Sequence, residues 1–193
     1  MEMDEDGKAV ARSLAGDSEA FVALVHRHSR AVHAYLQRRS GRQVADELLN
    51  EVWLRAFRAR HTFDQDQSDA RPWLYGIARN VLREAWRRQR AAPMSAPRDE
   101  TDPWQPIVDR LDAQRRWAGL VAALDRLHPT DREVLLLVTW EELTPTQAAT
   151  VLGMAPGTAR WRLHRARLGL QASIRSQEKE GDTHDDVPTV KEV

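Results

Sequence analysis

Between residues 17 and 39 the apolar side chains Phe21, Leu24, Val25, Val32, Tyr35 and Leu36 recur at helical spacing and form one stripe. The pattern predicts an amphipathic helix. A second stripe, Val44, Leu48, Val52, Trp53 and Phe57, predicts another helix over about 44–60, with Glu47, Asn50, Glu51 and Arg55 outside the stripe. The run HTFDQDQSDARP then breaks the period, and Pro72 suits the first turn of a third helix. In that helix, PWLYGIARNVLREAWRRQR, the pairs Trp73/Leu74, Ile77/Ala78, Val81/Leu82 and Ala85/Trp86 repeat every four residues, and Arg79, Asn80, Arg83, Arg87 and Arg90 occupy the other face.

Periodicity lapses in AAPMSAPRDETDPWQP, where four prolines and a cluster of acids mark a flexible inter-domain linker over 91–107. Beyond it, Leu111, Ala118, Val121 and Leu124 predict a helix over about 108–127. TDRE at Thr130 has the form of a capping box, with Thr130 as N-cap and Glu133 returning the bond, ahead of the apolar run VLLLVTW. TPTQ at Thr144 repeats the device with Pro145 at the first helical position. Gly153 ends that helix and Pro156 opens the last one. Neither an internal repeat nor a strand-like alternation is visible. The expected fold is therefore all-α, two small helical domains (17–90 and 108–175) joined by the linker, the second containing a helix-turn-helix.

With 41% hydrophobic residues in 193, the chain has enough apolar surface for such cores. It contains no cysteine, which excludes disulfides, thiolate metal sites and cysteine nucleophiles and suits a reducing, cytoplasmic compartment. The N-terminal stretch 1–16 is an acidic extension with no apolar signal core, and no run approaches the ~20 residues of a membrane span. The low hydrophobicity of the acidic tail 176–193 predicts disorder.

A net charge of zero conceals segregation of sign. Acids gather at the two ends. Lysine occurs only at Lys8, Lys179 and Lys191, so nearly all positive charge is arginine, whose planar fork suits phosphates and guanine edges. The last helix is the extreme case: between Pro156 and Arg175 there are five arginines and no acid. On a helical wheel Ala159, Leu163, Ala166 and Leu170 face inward, Trp161, His164 and Arg165 face outward, and Thr158, Arg160 and Arg162 flank them. Such a helix following a Gly-containing turn has the pattern of a major-groove reader. Trp161 reads equally as a DNA contact or as a ring docked on protein.

The runs ADELLNEVWLRAF, RPWLYGIARNVLREAWRRQR and LDRLHPTDREVLLLVTWEELTPTQAATVLGMAPGTARWRLHRAR, in this order, resemble the extracytoplasmic-function (ECF) sigma factors of bacterial RNA polymerase. The resemblance extends over about Asp17 to Ser173. It implies that Asp46, Glu47, Asn50, Glu51 and Arg55 bind the core polymerase. It implies that the loop 61–71, with Phe63, Asp64 and Arg71, and the helix bearing Arg79, Asn80 and Arg83 bind the minus-ten element. Thr158, Arg160, Trp161, Arg162, His164 and Arg165 match the reader of the minus-thirty-five element. Promoter DNA and the core enzyme are the implied partners, with an anti-sigma factor as a further one. Phe63 reads either as a wall of a base pocket or as a plug at the end of the second helix.

Elementary energetics also calls for a larger partner. Stacking averages about 1.4 kcal/mol per step, so opening on the order of ten steps costs about 14 kcal/mol. Specific recognition adds only about 4–10 kcal/mol over non-specific binding. No catalytic or metal-ligating constellation stands out, and no cofactor motif is present. Glu141 and Glu142 are adjacent, His26 and His28 do not share a helix face, and all four read as solvated charges. Two rival readings remain at this level: a free-standing helix-turn-helix repressor or activator, and a helical protein-interaction bundle.

Overall fold

The computed structural model describes residues 5–64, 67, 69–91 and 119–182, and the described residues contain no strand. The helices are α1 (Glu5–Leu14), α2 (Ser18–Ser40), α3 (Arg42–Arg58), α4 (Arg71–Ala91), α5 (helical over 119–125), α6 (Pro129–Thr139), α7 (Pro145–Leu152) and α8 (Pro156–Asp182). A 3₁₀ turn, Arg60–Thr62, follows α3. The chain divides into two compact units, 1–106 with 147–153, and 107–146 with 154–193. The linker expected over 91–107 lies almost wholly outside the described residues, as does the part of the next helix expected over 108–118.

In the first unit most of the expected stripes become the core, whereas Val44 and Trp86, at the outer ends of theirs, are exposed. Leu24, Val32 and Leu36 of α2, Val52 of α3, and Leu74 and Val81 of α4 are fully buried. Aromatic rings lock the helices together: Phe21 meets Trp53 and Phe57 edge-on, at 6.2 and 5.3 Å between centroids, and Tyr35 stacks on Tyr75 at 5.0 Å. Asp17 caps α2 by accepting from the Ala20 N–H at 3.2 Å. Gly41, with φ +77°, makes the tight joint between α2 and α3.

The acidic N-terminal extension is in fact helical. α1 packs against α2 and touches the 3₁₀ turn, with Val10 fully buried and Gly7, Ala9 and Ser13 buried as well. The stripe is made of small residues, which carry little hydrophobic signal. α1 also overturns the reading of His28 as a solvated charge: His28 is buried, and its Nε2 lies 2.8 Å from Asp6 Oδ2. The partner stands 22 residues away in sequence, beyond the reach of helix-face reasoning.

In the second unit α6 packs against α8. The helix begins at Pro129, and its N-cap is His128, whose Nδ1 accepts from the Thr130 N–H at 3.2 Å. The expected box on Thr130 and Glu133 therefore stands out of register. Proline supplies the fixed φ of a first helical residue and needs no partner for a missing N–H, which moves the start upstream. Glu141 is buried rather than solvated, whereas its exposed neighbour Glu142 adopts a left-handed φ of +55°. Reversal of the chain after α6 turns one acid inward and the other out. α7, whose residues from 147 onward are grouped with the first unit, starts at Pro145 as expected, and Gly153, at φ +66°, ends it before Pro156 opens α8. α8 runs to Asp182, seven residues into the tail expected to be disordered. Gln177, Glu178, Lys179 and Glu180 all have good helix propensity and no proline intervenes. Residues 183–193 lie outside the described ones.

Candidate functional site

Two charged faces emerge from these helices, one in each unit. On α3, Asp46, Glu47 and Asn50 are exposed because Ala45, Leu48 and Val52 turn the opposite face inward. The Asp46 side chain is 77% exposed and its Oδ1 lies 2.8 Å from His33 Nε2. Arg55 behaves differently from its neighbours. Its Nε donates to Glu51 Oε1 and its Nη2 to Glu84 Oε2 of α4, both at 2.6 Å. These bonds, to Glu84 first and then to Glu51, raise its pKa further and outweigh the opposing effect of burial. Glu84 is held below its ordinary range chiefly by the same arginine. Arg55 thus ties α3 to α4 as well as bordering the acidic face.

At the end of α3 the chain enters the connection to α4. Phe63 is buried and packs against Trp73 at 5.4 Å, while the Trp73 Nε1–H donates to Thr62 Oγ1 at 3.2 Å. Asp64 is exposed, and its Oδ2 accepts from Gln67 Nε2 at 3.2 Å. Arg71 is half-buried and clamped two-pronged by Asp69, Nε to Oδ1 at 3.0 Å and Nη2 to Oδ2 at 2.9 Å. On α4, Asn80 and Arg83 are exposed and Arg79 is half-exposed, one turn apart on the face opposite Ala78, Val81 and Leu82.

On α8, Ala159, Leu163 and Ala166 are buried, as the wheel predicts, and Thr158, Arg160, Trp161 and His164 are exposed. Arg160 makes no ion pair with a described residue. Arg162 and Arg165, by contrast, converge on one carboxylate: Arg162 Nη1 donates to Asp131 Oδ1 at 2.8 Å and Arg165 Nε to Oδ2 at 2.5 Å. Asp131 of α6 is only 2% exposed. Burial pushes its pKa up, but the hydrogen bonds from Arg165 and Arg162 prevail and hold it below the ordinary value. The Arg165 guanidinium also sits 4.4 Å from the Trp161 ring centroid, while Trp161 remains 54% exposed. Sequence reasoning missed Asp131 as a partner of the reading helix because it counted the acid only as part of a cap.

Two family profiles match the spans that contain these faces: Sigma-70 region 2 over residues 24–92 and Sigma-70, region 4 over residues 118–170. Among curated proteins, the RNA polymerase sigma factor CarQ of Myxococcus xanthus is 35% identical, over 78% of this chain and 86% of its own length. The ECF RNA polymerase sigma factor SigM of Mycobacterium tuberculosis is 32% identical, over 86% of this chain and 82% of its own. The chain belongs to the ECF sigma factors. Among solved structures, this sigma factor resembles CnrH in its complex with the cytosolic domain of CnrY, with a TM-score of 0.64, 26% identity, and coverage of 90% of this chain and 99% of the other. It shares its fold with the sigma factor RpoE of Bartonella quintana, solved with the anti-sigma factor NepR, at a TM-score of 0.56 and 21% identity over 80% and 96% of the two chains. As a sigma factor, the chain acts in promoter recognition and transcription initiation. No described helix is long and apolar enough to cross a membrane, and no cluster of three or more His, Asp or Glu that could hold a metal occurs among the described residues.

Proposed function

We propose that this sigma factor docks on core RNA polymerase through the exposed acidic face of α3, and reads promoter DNA through α4 and α8. The observation that carries the assignment is the position of the two faces. The acids Asp46 and Glu47 lie inside the region 2 span, and the basic face with Arg160 and His164 lies inside the region 4 span. The domains would be 17–90 and 108–175, and the region 4 match runs unbroken through α7.

Roles then divide among the named side chains. Asp46, Glu47 and Asn50 meet the polymerase; Glu51 and Arg55 hold that face against α4. Asp64, Arg71, Arg79, Asn80 and Arg83 attend the minus-ten element, with Phe63 as the apolar floor beneath them. Thr158, Arg160, Trp161 and His164 offer base-edge and backbone contacts at the minus-thirty-five element, and Arg162 and Arg165 are presented by Asp131. An arginine bidentate on guanine contributes roughly 1–3 kcal/mol of discrimination, and neighbouring cations neutralise phosphates. The chain is a specificity subunit working in the cytoplasm, without a catalytic step of its own. An anti-sigma factor is a further partner, as NepR is for the RpoE sigma factor.

Charge reversal tests the docking face directly. Asp46→Arg with Glu47→Arg is expected to weaken core binding by about tenfold or more while leaving the helical content unchanged. Undiminished core binding and transcription in that variant would remove the assignment of α3.

A further inference from the structure

The carboxylate of Asp6 is 4% exposed and lies outside both matched sigma regions. It nevertheless joins three parts of the first unit. His28 Nε2 of α2 stands 2.8 Å from its Oδ2, Arg27 Nη1 of α2 pairs with its Oδ1, and the backbone N–H of Ala70 donates to its Oδ2 at 3.0 Å. Ala70 is the residue on which α4 starts, since its carbonyl accepts the Leu74 N–H at 2.9 Å, the first turn of the helix. One side-chain oxygen of α1 therefore occupies an orphan donor at the N-terminal end of α4, where the helix dipole also favours negative charge. The adjacent Arg71 N–H is taken by Asp69 Oδ1 at 2.9 Å. α1 further touches the 3₁₀ turn at the other end of the same connection.

We infer that Asp6 is a positioning residue for minus-ten recognition: through the Ala70 N–H it fixes where α4 begins, and with it the pose of Arg71, Arg79, Asn80 and Arg83. The inference rests on the proposed role of α4. A buried carboxylate that only stabilised α1 against α2 would be satisfied by Arg27 and His28; the bond to Ala70 transmits its position to a helix 64 residues away in sequence. Removal of α1 or of its carboxylate frees the first turn of α4 without touching the polymerase-facing side of α3.

The test uses holoenzyme assembled from the full chain and sigma-free core, on a linear fragment carrying a start site mapped with the wild-type chain. Single-base variants at each minus-ten position are transcribed in competition with the parent. Asp6→Ala is expected to lose about tenfold in discrimination among them at unchanged core affinity. Asp6→Asn, which keeps an acceptor for Ala70, should stay within about threefold of wild type. Arg27→Ala serves as the stability control, since it removes an ion pair from the same carboxylate and leaves the Ala70 bond; its discrimination should remain that of wild type. If Asp6→Ala discriminates as well as wild type, or if Asp6→Ala and Arg27→Ala lose discrimination in parallel, the inference is overturned. Absence of base preference in the wild-type holoenzyme would instead remove the role of α4.

Discussion

Asp131 shows how a single buried acid shapes a basic helix. Without it, Arg162 and Arg165 would project as two more mobile cations on α8; with it, both are drawn toward α6 and Arg165 lies against Trp161. Asp131→Ala is expected to destabilise the second unit by about 2 kcal/mol, because it strands two partly covered guanidinium groups. Chemical denaturation measures this, and a loss under about 0.5 kcal/mol, the ordinary range of a surface change, would show that solvent satisfies them as well. Arg160, exposed and without an ion pair to any described residue, has the opposite role: Arg160→Ala should leave stability unchanged and relax preference at one base position by about 1–3 kcal/mol in competition binding by holoenzyme. Asp6 offers a pH signature. Burial raises its pKa, but the hydrogen bonds from His28 and the Ala70 N–H, the charge of His28 and the bond from Arg27 lower it to about 2, from 3.8. A depressed carboxylate stabilises the fold above its unfolded pKa and loses that contribution as pH falls through the folded value, here about 2 kcal/mol between about pH 4 and pH 2. The stability gap between wild type and Asp6→Asn should therefore be full at pH 6 and shrink below pH 4. A gap that stays constant down to pH 2.5 would contradict the ion-paired state.

At the scale of elements, the turn between α7 and α8 depends on one backbone conformation. Gly153 has φ +66°, and an added Cβ there would meet nothing within 4 Å, so Gly153→Ala probes left-handed strain alone. It should cost about 1 kcal/mol in thermal or denaturant unfolding, and a neutral result would mean the turn relaxes freely. Elements of this kind were legible in the sequence because their signals are local. The stripes of α2, α3 and α4 gave their extents to within about two residues, and Pro145, Gly153 and Pro156 gave the helix-turn-helix. What was illegible depended on partners far along the chain. α1 was hidden because it packs with Val10 and small residues rather than a row of leucines. The site divides in the same way. The outward faces of α3 and α8 followed from the wheel, whereas the ties of Arg55 to Glu84 and of Arg162 and Arg165 to Asp131 join residues 29 to 34 positions apart. Pattern along one helix carries no information about which acid on another meets its arginines.

Across the whole molecule, a chain with no net charge carries an acidic face in one unit and an arginine-rich helix in the other. Such a chain suits two partners better than one. The acidic face is repelled by DNA and available to a protein, and the basic face is available to DNA. Two modest contacts joined by a linker act together when both sites are presented at the right separation, which the polymerase on its promoter supplies. The chain alone should therefore bind DNA weakly and with strong salt dependence, and gain sequence preference in holoenzyme. The most direct measurement adds the purified chain to sigma-free core polymerase and fragmented genomic DNA and sequences the 5′ ends of the transcripts. The account predicts defined starts that share two spaced upstream motifs and vanish when Asp46 and Glu47 are reversed in charge. No new starts, together with equally tight sequence-specific DNA binding in the absence of core, would contradict it.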